Sequence, residues 1–231
     1  MTYVAIHQPN FIPWIGYFHK IKQVDQFVFL DNVQYVKQSP ASRNYIKDKK
    51  GEKFLLVLPI KKKNYTTKNY NEIEIDYAQN WQKKHLNKIK DSYFHAPSFE
   101  ETFNFIDNLY SIKYANLAEL NIYLIKEICK LINLKTNVLI SSSININANA
   151  TKNLRNIEIC KSLNATHYVS GMGAKNYNNI ELYSQHKIQL TYQNFMPAIY
   201  PQINGNFLSN LSILDYLFNV SKSEYGKLFK Q

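Results

Sequence analysis

Arginine is almost missing from this chain. Among its 28 Lys and Arg residues only Arg43 and Arg155 are arginine, so the other 26 are lysine. Against 17 Asp and Glu the formal net charge is +11, which invites a nucleic-acid partner. A protein that reads base sequence usually spends arginine on bidentate contacts to guanine. The shortage therefore argues against sequence-specific DNA recognition. Lysine, asparagine, isoleucine and tyrosine are all residues of AT-rich codons and all are abundant here. Much of the charge then reads as compositional drift on a solvated surface. The two surviving arginines are informative by contrast, because a planar guanidinium fork does what lysine cannot.

Cysteine is nearly as scarce. Cys129 and Cys160 make neither a disulfide framework nor a zinc-ligand spacing, and neither sits in a Gly-rich elbow suited to a thiol nucleophile. Six glycines supply no Walker A loop and no Gly-x-Gly-x-x-Gly; Gly171-Met172-Gly173 is too short to count. The histidines show no His-x-x-x-His and no His-Glu-x-x-His, so no metal site is expected. No apolar run approaches the roughly 20 residues of a membrane span. Met1 to Asn10 lacks the basic flank and apolar core of a signal peptide. A cytoplasmic protein is the expectation. A hydrophobic content of 45% excludes a disordered chain.

What is present is an alternation of apolar strands and amphipathic helices. Strands are expected at Tyr3–His7, Gln26–Leu30, Lys53–Pro59, Thr136–Ser141, His167–Ser170 and Ile188–Tyr192. The segment Lys53–Pro59 reads as buried, and Gln34–Asn44 as a polar loop. Helices are expected at Trp14–Val24, from Gln79 through Tyr93, at Phe99–Tyr110, at Tyr114–Leu134, after an N-cap at Thr151, and at Leu211–Phe218 capped by Ser209 or Asn210. Leu154, Ile157, Cys160 and Leu163 form the apolar face expected of the helix after Thr151. The pattern predicts an α/β fold with a mostly parallel sheet flanked by helices. The helical stretch at about 79–134 looks inserted. No linker divides residues 1–231, which read as one domain.

Ligands of open α/β sheets collect beyond the carboxyl ends of the strands. Three polar groups fall there: His7-Gln8-Pro9-Asn10, then Asp31-Asn32-Val33-Gln34 leading to Arg43-Asn44, then Ser170-Gly171 with Lys175 and Tyr177. Each has a structural alternative. A strand-end histidine can serve packing, Asp31 can bond its own turn, and the glycines can serve a turn alone. Their coincidence at one sheet edge favours a site.

These same segments resemble the WbqC-like family. The likeness runs over essentially the whole chain and is most specific in Val4-Ala5-Ile6-His7-Gln8-Pro9-Asn10-Phe11-Ile12-Pro13-Trp14-Ile15-Gly16-Tyr17-Phe18. Asp31-Asn32-Val33-Gln34, Arg43-Asn44, Tyr168-Val169-Ser170-Gly171 with Tyr177, Tyr200-Pro201-Gln202 to Gly205-Asn206-Phe207, and Asn210-Leu211-Ser212-Ile213-Leu214-Asp215 resemble it too. Where the family often has a glycine after the position of Asn219, this chain has Val220-Ser221-Lys222. The resemblance implies a role in O-antigen or other lipopolysaccharide biosynthesis, with glycine or another acyl group attached to an amino sugar. A looser likeness to HxGH nucleotidyl-transferring, Rossmann-like folds adds ATP as a candidate cofactor, although Gly16-Tyr17 stand where the second histidine would be.

The expected function is therefore a transferase or amide ligase acting on a nucleotide-linked amino sugar. His7 and Asp31 are its candidate catalytic residues. Gln8, Asn10, Gln34, Arg43, Asn44, Arg155, Ser170, Gly171, Lys175 and Tyr177 are its candidate substrate- or phosphate-binding residues. The partners are a small-molecule substrate and an acyl or aminoacyl donor, with nucleic acid entering only if that donor is a tRNA. The alternatives are a polyanion-binding module, whose Lys63-Asn64-Tyr65 and Lys68-Asn69-Tyr70 would track a backbone and stack bases, and an assembly protein of the pathway.

Overall fold

The computed structural model describes residues 1–147, 149–196 and 199–229. The chain divides into two compact units, one built from Met1–Gln8, Gly16–Asn32 and Leu134–Met196, the other from Pro9–Ile15, Val33–Asn133 and Pro197–Gln231.

The first unit carries β1 (Tyr3–His7), α1 (Ile15–Lys22), β2 (Gln26–Phe29), and, much later in the chain, a strand at Asn137–Ile140, helices at Lys152–Ser162 and Ile180–Gln185, and strands at His167–Ser170 and Gln189–Tyr192. The second carries β3 (Arg43–Lys47), β4 (Lys53–Val57), α2 (Trp81–Tyr93), α3 (Phe99–Ser111), α4 (Leu117–Leu131) and a helix at Ile213–Asn219. In chain order the later elements are β5 (Asn137–Ile140), α5 (Lys152–Ser162), β6 (His167–Ser170), α6 (Ile180–Gln185), β7 (Gln189–Tyr192) and α7 (Ile213–Asn219). The α/β class and the parallel sheet expected from the alternation are both found. The sheet has five strands in the order β5-β2-β1-β6-β7, every pairing parallel. Val4, Ile6, Val28, Ile157, Cys160 and Tyr168 are in its core, which explains the near-continuous apolar strands of a sheet covered on both faces.

Several expectations are corrected. Residues Arg43–Lys47 form a strand rather than part of a loop, and pair antiparallel with β4. β4 is not a buried strand of the sheet: Leu56 is its one buried residue, so its apolar run serves a two-stranded ribbon open to solvent. Leu154 is 47% exposed and leaves the apolar face of α5, which rests on Ile157, Ile159 and Cys160. Thr151 precedes α5 but its side chain makes no cap bond. Ser212, not Ser209 or Asn210, caps α7 by accepting from Leu214 N.

The stretch of helices at 79–134 is confirmed as α2, α3 and α4. Trp81, His85, Ile89 and Tyr93 are buried along one face of α2, as spacing four requires. Both cysteines are buried and free, with their thiols pushed up to about 12 by burial, so neither is poised as a nucleophile.

Much of the segment Pro9–Ile12 is held for structural reasons. Ile12 has φ 37, a costly value for a β-branched residue. Its carbonyl accepts from Asn44 Nδ2 at 2.6 Å and from Ser212 Oγ at 2.8 Å, while buried Asn121 donates to Pro9 O at 2.9 Å. The Tyr200–Phe207 signature has a comparable task. Fully buried Lys47 donates to Asn206 O at 2.6 Å and Gly205 O at 3.2 Å, and Tyr200 donates to Asp215 at 2.8 Å.

Candidate functional site

The strand order reverses at β1. The chain moves outward through β2 to β5, then returns to lay β6 on the other side of β1. Such switch points open a crevice at the carboxyl edge of a parallel sheet. Here the β1–β6 ladder joins Tyr3 to His167 and Val4 to Tyr168, whereas β1–β2 continues to His7 and Phe29. The gap beyond Val4 is a cavity of about 310 Å³. Ile6, His7 and Gln8 line it from β1, Tyr168, Ser170 and Gly171 from β6, and Lys20 from α1.

The tautomer of His7 follows from its neighbour. Nδ1 lies 3.0 Å from the Gln8 carbonyl, which can only accept, so Nδ1 carries the hydrogen. The same carbonyl accepts from Tyr17 Oη at 2.9 Å, and the Tyr17 ring meets the imidazole edge-on. Burial, then the Lys20 charge, lower the pKa of His7 to about 3. At neutral pH Nε2 is therefore a bare lone pair.

Lys20 is the residue that sequence reasoning missed. It is 4% exposed and burial lowers its pKa to about 8, with no carboxylate acting against that. Among the described residues it forms no ion pair. Buried lysines are normally paired, and Lys47 shows how this chain does it with carbonyls. Lys20 instead has its Nζ beside Gly171: a Cβ added there would lie 3.2 Å from it. On the phosphate-site reading proposed below, Gly171→Ala, which crowds the ammonium, should weaken phosphate binding about tenfold with little change in thermal stability. Calorimetric titration of both proteins checks this. No local pattern marked Lys20: α1 ends at Lys22, before buried Val24, and Lys20 differs from most of the chain's other lysines in its burial.

His7, Gln8, Ser170, Gly171 and Tyr177 are brought together at this cavity, along with Asn156 and Gly173. Ser170 Oγ accepts from Asn178 at 3.0 Å. Exposed Lys175 does not line it. Asp31 is 4% exposed, and its carboxylate accepts from Ser141 Oγ at 2.8 Å, Ser142 N at 2.9 Å and Ser142 Oγ at 2.7 Å, clamping the ends of β2 and β5. Asp31→Ala should cost about 2–4 kcal/mol of stability in urea unfolding, since it strands these donors. The fork of Arg155 is used on two carbonyls, Ala150 O at 2.9 Å and Asn32 O at 2.8 Å. In the second unit Asn10 is buried, Gln34 donates to Thr66 O, Asn44 holds the Phe11–Ile12 carbonyls, and Arg43 lines a different cavity.

The tyrosines of the Lys-Tyr stretch do not form an open stacking surface. Tyr70 is 3% exposed, and Tyr65 and Tyr70 both pack edge-on against Tyr35. Among the described residues no helix is long and apolar enough to cross a membrane.

The chain matches the sequence profile of the WbqC-like protein family over residues 8–226. It is 33% identical over 222 residues to an uncharacterized protein of Mycobacterium tuberculosis, across 95% of this chain and 94% of that protein. No solved structure matches it. Profile and relative span nearly the full length, and the chain belongs to the WbqC-like protein family.

Proposed function

We propose that this protein is a transferase or amide ligase that attaches an amino acid, such as glycine, or another acyl group to a nucleotide-linked amino sugar in surface-polysaccharide synthesis. The observation that carries the reading is the buried ammonium of Lys20, without an ion-pair partner among the described residues, beside neutral His7 at the sheet's switch point. A buried cation without a counter-charge is costly, and a substrate phosphate removes that cost on binding. The net charge of +11 draws such an anion in.

In this reading phosphate settles between Lys20 and the Gly171 turn. Burial, the larger cause that depresses His7, stays in place, and a phosphate beside Lys20 offsets the smaller one, so its basicity rises in part when substrate is bound. Nε2 then takes the proton of the attacking amine. A C–N bond forms, the bond to the leaving group breaks, and that group departs with its electron pair. Tyr17 and the Gln8 carbonyl hold the ring so that Nε2 is the free nitrogen.

The test is mass spectrometry of nucleotide-linked amino sugars incubated with the protein, glycine or small acids, and an activating system. The expected result is a mass gain equal to the acyl group, lost in the Lys20→Met variant. No gain across a panel of sugars and donors overturns the reading. Running it with and without ATP separates ATP from the nucleotide-linked sugar as the source of the bound phosphate.

A further inference from the structure

The second unit holds a cavity of its own, about 260 Å³, beside the start of β3. Arg43, Lys37 and Lys62 make its lining basic. Val57, Leu58 and Pro59 also line it, and Val57 is the cross-strand partner of Arg43. No acidic residue lines it. Tyr35 and Ser42 close the floor through a hydroxyl pair at 2.8 Å. The loop leading in is fixed, with Gln38 at φ 60 and Ser39 N donating to Val36 O at 3.2 Å.

Arg43 distinguishes this cavity from an ordinary basic surface. Its Nε is buried without a hydrogen-bond partner, and it makes no ion pair among the described residues. The contrast with Arg155 is direct. In a chain of 26 lysines and two arginines, Arg155 spends its fork on two backbone carbonyls, and Arg43 leaves its buried Nε without a partner among the described residues. An unsatisfied guanidinium donor costs about 1–3 kcal/mol. A planar acceptor offering two oxygens meets the fork best. The apolar lining beside it suits a hydrocarbon tail and gives inorganic phosphate nothing to touch.

We propose that this cavity is a binding site for a small carboxylic acid with an aliphatic tail. The carboxylate accepts from two guanidinium N–H groups of Arg43. The tail lies on Val57, Leu58 and Pro59, and Lys37 and Lys62 add a screened attraction. The site shares no lining residue with the Lys20 cavity and does not require the transferase reading.

With two arginines in the chain, their side-chain Nε–H signals are separable in a ¹H–¹⁵N spectrum, and Arg155 is an internal control. The full chain is titrated with isovalerate, with isovaleramide as its neutral isostere, and with inorganic phosphate. Expected is a saturable shift of the Arg43 Nε–H with isovalerate, none with the amide, and weaker binding of phosphate. Arg43→Lys, which keeps charge but loses the fork, should weaken isovalerate at least tenfold, while Lys20→Met leaves it unchanged. Acid and amide binding alike, phosphate binding more tightly, no saturable shift, or full affinity in Arg43→Lys would each overturn the proposal. Should Arg43→Lys fail to fold, the acid-against-amide contrast in the unaltered protein still decides. Loss of transferase activity in Lys20→Met with this binding intact would separate the two sites.

Discussion

Replacing Lys20 by Met is expected to raise the thermal midpoint and abolish phosphate binding at Ser170 and Gly171 in one variant. Ordinary binding residues give the second effect without the first. The fall in the Lys20 pKa from 10.5 to about 8 measures what it costs to bury the ammonium. At about 1.4 kcal/mol per unit that is on the order of 3 kcal/mol. For a chain of this size it corresponds to roughly 6–12 °C. Methionine fills a similar volume without charge. The gain should depend on pH with a definite sign. Between about 8 and 10.5 the unfolded chain still binds the Lys20 proton and the folded chain has released it, so wild-type stability rises with pH there. The advantage of the variant is therefore full below pH 8 and vanishes by about 10.5. Thermal melts of both proteins from pH 7 to 10.5 check it.

The second large effect belongs to the proposed transferase reading. His7→Asn should lower turnover by about 10²–10⁴-fold while phosphate binding persists. Asparagine places an amide nitrogen near the position of Nδ1, so the bond to Gln8 O can be kept, and it offers nothing where Nε2 was. A merely structural histidine would be rescued by this replacement. His7 also contributes to acid sensitivity. Its pKa is about 3 when folded against 6.5 when unfolded, so stability declines as pH falls from 6.5 towards 3. The variant should lack that component in urea titrations across the window, and steady-state kinetics measure the turnover.

How far the sequence reveals all this depends on what each residue answers to. β6 is legible to the residue, because His167–Ser170 is a short apolar run closed by a glycine turn. The helices α2 to α4 are legible because their buried faces repeat at helical spacing. β3 is not legible: Arg43-Asn44-Tyr45-Ile46-Lys47 has weak alternation, and it becomes a strand through its antiparallel register with β4. At the site, His7, Gln8, Ser170 and Gly171 could be read from strand ends. Asp31 occupies an equivalent place on β2, yet its carboxylate is spent on Ser141 and Ser142, residues 110 and 111 positions away. Arg155 likewise looks like a phosphate ligand until Asn32 O and Ala150 O are seen on it. These partners are set by tertiary structure, which local pattern does not carry. Lys20 was hidden for the opposite reason, as one of 26 lysines distinguished by burial alone.

The central claim is that the cavity at the end of β1 and β6 is an anion site made by Lys20. A phosphate titration of the full chain, followed through the backbone amide signals of Ser170 and Gly171, addresses it directly. The account predicts saturable shifts at these two residues in the wild type and none in Lys20→Met under the same ionic strength. Equal shifts in both proteins, or shifts spread over the surface lysines with Ser170 and Gly171 unmoved, would contradict it.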